Sequence, residues 1–222
     1  MEYSCITLII NNMKKVFIAL LTCLIYNSLA AQTDRGSIGL VRINGTSNFY
    51  NSVHYYDHNK NQRNGTAGFS LELGGKQFLG GSNLFLGETA GFVFSELPFP
   101  EYPLVVGAPN QYPLLEKGNE TGILGSVVLG YQVQLKNHLS VDFFAGPDFR
   151  YLFNYNSKFG DTNVDLPFHK SNLKLKAGAN LNIKRFNISL FASQDLLDRG
   201  KDSYRYKTII VGLGFGYYFR WK

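Results

Sequence analysis

A chain of 222 residues is long enough to build one domain with a sizeable core. Aromatic residues make up 15% of it and glycine supplies 23 positions, while charged residues reach only 17%, a mixture that favours β structure and excludes a disordered or highly charged chain. The formal net charge of +6 comes from basic residues scattered singly rather than in a stripe, which gives no support for nucleic-acid binding.

The first segment reads as a targeting signal. Met13 is followed by Lys14 and Lys15, then by an apolar run from Val16 to Ile25, then by the small residues Ser28, Ala30 and Ala31. Those are the three parts of a secretory signal peptide, so residues 1–31 are expected to be removed and 32–222 to form the mature domain, exported through the Sec pathway, with Met13 as an alternative start. Cys5 and Cys23 both fall in the removed part, which would leave the mature domain without a thiol; lipidation at Cys23 is the alternative, against which stand Thr22 and the apolar run continuing past it. No later stretch approaches the roughly 20 apolar residues of a spanning helix.

The rest alternates with period two, the pattern of strands with one apolar face. The expected strands run over 36–46, 66–78, 83–95, 121–135, 139–153, 172–184, 186–195 and 205–221. The first is strand-like without clean alternation. In the second, Phe69, Leu71 and Leu73 share a face opposite Glu72. In the third, Leu84, Leu86, Ala90, Phe92 and Phe94 are in phase, but Glu88 falls among them, so a bulge near Gly87 or a different register is expected. The fourth and fifth set Val127, Leu129 and Tyr131, then Val141, Phe143 and Ala145, against Ser126, Gln132, Asp142, Asp148 and Arg150. The sixth sets Leu173, Leu175, Leu181 and Ile183 against Lys174 and Lys176, and the seventh carries Phe186, Ile188 and Leu190. The last aligns Val211, Leu213, Phe215, Tyr217 and Phe219, with Gly212, Gly214 and Gly216 between them.

An even number of strands joined by alternately long and short connections implies an up-and-down antiparallel barrel with elaborate loops at one end and tight turns at the other. The polar face holds Gly, Ser, Asn and Gln with a few charges of both signs, less charge than a water-facing surface usually carries. The expected fold is therefore all-β: an eight-stranded transmembrane barrel with short periplasmic turns and long extracellular loops. Its lipid-facing row would include Leu173, Leu175, Leu181, Ile183, Val211, Leu213, Phe215, Tyr217 and Phe219; its interior polar residues would be Glu72, Asp142, Asp148, Arg150, Lys174 and Lys176. A lipocalin-like soluble barrel holding a small apolar ligand is the alternative, with the faces reversed.

With Gly214, Phe215, Gly216, Tyr217 and Phe219 closing its last strand, the chain resembles the small outer-membrane barrels of Gram-negative bacteria, the eight-stranded class that includes OmpX and the OmpA transmembrane domain. That resemblance implies residence in the outer membrane, contact with its lipid and lipopolysaccharide, and recognition of the last strand by the barrel-assembly machinery. The chain departs from the pattern in continuing with Arg220, Trp221 and Lys222.

Function must come from a site rather than from the fold. In "FHKSN", His169 and Ser171 would share one face of a strand, where a histidine can activate a serine hydroxyl for attack on an ester. The element resembles the His-x-Ser-Asn of the lipid A 3-O-deacylases, also eight-stranded barrels, but Leu173 and Lys174 replace the small residues expected after the Asn, and only the loosely placed Asp195 and Asp198 offer an acid. The segment around Phe99, Tyr102 and Tyr112 is rich in proline, a composition suited either to contact with an extracellular protein or glycan or to a loop packed on itself. His54, Asp57 and His58 lack the setting of a metal site, so no metal and no cofactor is expected. The interior charges point to a salt-bridged plug rather than a pore, because eight strands leave room only for side chains. The expectation is a non-enzymatic barrel that acts through its external loops.

Overall fold

The computed structural model describes residues 38–54, 62–97, 118–159, 162–164, 169–199 and 204–220. The signal segment, the loop residues Phe99, Tyr102 and Tyr112, and Asp57 and His58 lie outside the described residues, as does the side chain of His54.

The strands are β1 (Ile38–His54), β2 (Gln62–Phe78), β3 (Leu84–Leu97), β4 (Gly118–Lys136), β5 (Leu139–Phe159), the short β6 (Thr162–Val164), β7 (Ser171–Ile183), β8 (Phe186–Asp195) and β9 (Tyr204–Arg220). Every neighbouring pair is antiparallel; β1 pairs with both β2 and β9, and β4 with β5, so the sheet closes on itself and has no free edge apart from the β5–β6 hairpin. With β6 set aside, eight strands form an up-and-down barrel. The tight connections 79–83, 137–138 and 184–185 lie at one end, where β1 also begins and β9 finishes.

Several strands outrun the sequence reading. The β1–β2 ladder continues to Ser52↔Gln62, and β5 continues to Phe159, where it pairs with β6, so segments read as long loops are largely hairpin. Their composition hid this: period two marks a strand only where its two faces meet different surroundings. The register of β1 also becomes definite, with Leu40, Arg42, Asn44 and Asn48 pointing inward and Ile43 and Phe49 outward. The bulge expected near Gly87 is absent. β3 pairs with β2 and β4 in unbroken register, and Glu88 sits on the outer face, half-buried, opposite Gly75 and Val127. The register shifts instead between Thr121 and Gly122 and between Gln134 and Lys136, toward the two ends of the β4–β5 pair.

The interior is not filled by small and charged groups alone. Phe85, Phe144, Phe191 and Ile210 form one buried apolar cluster, and Val93, Leu124 and Leu152 form another. The rings fit because glycines face them. A Cβ at Gly130 would lie 2.1 Å from the tip of Phe85, and one at Gly212 would lie 2.2 Å from the tip of Phe191. Inward glycines thus make the volume that the phenyl rings occupy, which supplies the close packing of a protein interior.

Candidate functional site

The lumen is an ionic chain built by strand alternation. Glu72, 1% exposed, accepts hydrogen bonds from Arg42 and from Asn44 Nδ2 at 2.8 Å, and the ammonium of Lys176 lies 3.6 Å away. Arg42 also donates to Ser189 Oγ at 3.3 Å, reaching over Gly214 of β9 to tie β1 to β8. Nearer the turn end, Asp142, 0% exposed, accepts from Lys76 Nζ and Gln132 Nε2, each at 2.9 Å. The same Lys76 ammonium lies 5.1 to 5.3 Å from the ring centroids of Phe78, Phe85 and Tyr218. Toward the other end, Asp195 accepts from Lys174, from Asn172 Nδ2 at 2.7 Å and from the Thr208 amide at 2.8 Å. There too Arg199 pairs with Glu120 at 3.3 Å, and Arg150 with Asp148 at 3.2 Å.

All six residues assigned to the interior by alternation, namely Glu72, Asp142, Asp148, Arg150, Lys174 and Lys176, are buried and ion-paired. Sequence reasoning missed Arg42, Lys76, Glu120, Asp195 and Arg199 as members of this network. Arg42 was legible from Leu40, Arg42 and Asn44 standing two apart; Arg199 and Glu120 were not, because they come from segments without alternation. A cavity of about 40 Å³ remains between Arg42, Lys76, Phe85, Asp142, Phe144 and Tyr218. A lipocalin-like barrel needs an apolar lumen able to hold a ligand, and this one is small and ionic.

The outer wall has the opposite character. Leu175, Leu181, Ile183, Val211, Leu213, Phe215 and Tyr217 are exposed on it, Phe215 at 57% and Phe143 on β5 at 55%, while Leu173 and Phe219 are half-buried in the same rows. Exposed apolar residues run unbroken across neighbouring strands, far beyond the patch a soluble monomer tolerates.

At the end away from the tight turns, Ser171 lies half-buried on the outer face beside Tyr151 of β5, and His169 is exposed. Neither side chain is hydrogen-bonded to the other. Asp195 does not complete a triad, because it points into the lumen and is held by Lys174, Asn172 and the Thr208 amide. Between β2, β3 and β4 at this end an open groove of about 440 Å³ is lined on its outer side by Ala67, Phe69, Phe94, Glu96, Asn119 and Thr121. Phe69 and Phe94 stack there with centroids 4.8 Å apart and planes at 18°. The register shift at Thr121 lies at the same place.

Closed topology, ionic lumen and apolar wall together define an eight-stranded barrel of the inside-out type. Among solved structures the chain is similar to Ail, the attachment invasion locus protein of Yersinia pestis, at 17% identity over 81% of this chain and 99% of that one, with a TM-score of 0.39. It is also similar to Neisserial surface protein A, at 8% identity over 81% and 97% with a TM-score of 0.45, and to the outer membrane enzyme PagL, at 10% identity over 78% and 98% with a TM-score of 0.44. No protein-family model and no curated protein matches the sequence. What the chain shares with these small outer-membrane barrels is the fold.

Proposed function

We propose that the chain is an outer-membrane barrel of a Gram-negative bacterium with a non-enzymatic role, exercised where its external end meets lipopolysaccharide and an extracellular protein or glycan. The observation that carries this reading is the reversal of polarity: leucines, phenylalanines and a valine stand exposed on the wall while lysines and aspartates are sealed in the lumen. In water that arrangement would expose the apolar wall and desolvate the charges; in a bilayer the wall meets acyl chains and the paired charges stay inside. An amino terminus arriving from the periplasm puts the tight turns on the periplasmic side and the Phe69–Phe94 groove on the outer side. Stacked aromatic rings beside Glu96, Asn119 and Thr121 suit a sugar, whose apolar face packs on a ring while its hydroxyls bond to polar side chains. The outward row of β9 from Ile209 to Phe219 is the surface offered to the assembly machinery.

The test is fractionation of cells expressing the full chain, followed by electrophoresis of the outer-membrane fraction with and without boiling. A band whose mobility changes on heating is expected, and a freely soluble periplasmic product would overturn the reading. Mass spectrometry of lipid A from cells carrying the wild type or Ser171→Ala addresses the esterase reading, which the outward placement of Ser171 favours. Identical lipid A in the two strains is expected, whereas acyl loss that depends on Ser171 would make the barrel a deacylase.

A further inference from the structure

The exposed surface of the tight-turn end is basic, through Lys136, Lys184 and Arg185 with His138 among them. No Asp or Glu falls within 76–87, 132–141, 180–190 or 212–220; the nearest carboxylates are Asp142, sealed in the lumen against Lys76, and Glu88, further along the wall. Two of the turns are locked together: the Lys184 amide donates to the His138 carbonyl at 2.8 Å, and Leu139 stands opposite Ile183. The four side chains therefore project from one patch, and none of them pairs with a described carboxylate.

Two details indicate that the patch is held in place. Lys184 has φ 55, the left-handed conformation that glycine or asparagine adopts at less cost, and it is the one described residue other than glycine with positive φ. Arg185 Nη1 donates to Tyr217 Oη at 3.1 Å, and Tyr217 in turn packs edge-on against Phe186, with centroids 5.7 Å apart and planes at 72°. The exposed guanidinium is thus drawn toward the outer wall by this hydrogen bond. Directly beyond the charges, Leu139, Ile183, Phe186 and Tyr217 form one outward row across four adjacent strands, with Leu135 next to it on β4.

A cationic patch bordered by an apolar row matches one kind of molecule, an anion that carries its own hydrocarbon. We infer that this end holds an anionic phospholipid of the inner leaflet, its phosphate among Lys136, His138, Lys184 and Arg185 and its acyl chains along Leu135, Ile183 and Phe186. A free phosphate would leave the apolar row unused, and an acidic periplasmic protein would have to reach charges placed at the lipid boundary. The inference rests on the transmembrane reading above. Basic residues near a membrane surface strengthen binding to anionic lipid by about fivefold each, from roughly 1 kcal/mol per charge.

The experiment is native mass spectrometry of the full chain refolded in detergent, with phosphatidylglycerol or phosphatidylethanolamine added at equal concentration. Wild type is expected to retain phosphatidylglycerol preferentially, and a large molar excess of inorganic phosphate should not displace it. Lys184→Gly suits the backbone at that position and should weaken retention about fivefold; Lys136→Gln with Arg185→Gln added should weaken it on the order of a hundredfold. Equal retention of the two lipids, unchanged retention by the triple variant, or displacement by inorganic phosphate would overturn the inference. Heat-dependent mobility of the same preparations separates these outcomes from failure of the membrane reading, since a chain that forms no heat-modifiable barrel in lipid would sink that reading first.

Discussion

Replacing Glu72 by glutamine keeps the size and much of the hydrogen bonding of the side chain but removes the carboxylate that faces both Arg42 and Lys176. At 3.6 Å and an effective dielectric of about 20, the attraction between Lys176 and Glu72 is about 4 to 5 kcal/mol, and the closer Arg42 pair is not weaker. Desolvation offsets part of both. Breaking a buried pair by removing one partner nevertheless costs about 3 to 5 kcal/mol, because the surviving charge stays buried without compensation. Here two cations survive, so Glu72→Gln should lower the unfolding free energy by at least that amount. The assay is urea titration of the barrel refolded into phospholipid vesicles, with the folded fraction read from unboiled gels and circular dichroism and the slope checked for two-state behaviour. A triple variant, Glu72→Leu with Arg42→Met and Lys176→Met, should recover most of the loss, since apolar replacement of a complete buried ionic group is often neutral or better. A loss under about 1 kcal/mol for Glu72→Gln, or a triple variant no more stable than the single one, would refute the account of the lumen as a mutually compensated network.

Two further changes test the wall and the packing. Glu88 stands half-buried on the apolar face between Gly75 and Val127, so Glu88→Leu should stabilise the barrel in vesicles by about 1 kcal/mol, by the same titration, the penalty for a lipid-facing carboxylate being smaller than that for lysine or arginine. Gly212→Ala would place a methyl group 2.2 Å from the Phe191 ring, so it should cost about 1 to 3 kcal/mol, and Phe191→Leu in the same chain should relieve part of that cost.

The barrel itself was legible because a wall with different solvents on its two sides writes period two into each strand. The rows Leu173 to Ile183 and Val211 to Phe219 stand on the outer face, and Asp142, Lys174 and Lys176 on the inner one, as that pattern implies. Alternation fails where the contrast fades. β1 carries Arg42 and Asn44 inward but also buried Leu40, so neither face looks apolar throughout, and the outer halves of β1, β2 and β5 continue as strands without an apolar face to mark them. Glu88 misled for the opposite reason: a charge on the wall looks like an error of phase, and only the unbroken ladder places it there. The buried rings could not be found in one dimension, since Phe85 needs the space at Gly130 and Phe191 the space at Gly212, partners that only the β3–β4 and β8–β9 registers set opposite one another. For the candidate site, His169 and Ser171 were visible as a motif, but the inward turn of Asp195 depends on partners in β7 and β9.

Across Gly212, Gly214 and Gly216 the inner face of β9 is the same at every step. Such a stretch carries no positional information of its own, so a strand displaced by one full pleat would present an identical surface to the lumen. Uniqueness has to come from the marks at either side of the blank: Thr208 and Ile210 before it and Tyr218 after it, all buried. Tyr218 is also fastened by its own amide to the Arg185 carbonyl at 2.7 Å. The last strand therefore behaves like a ruler with graduations only at its ends, and erasing one end, as in Tyr218→Gly, would let two alignments of the same chain compete.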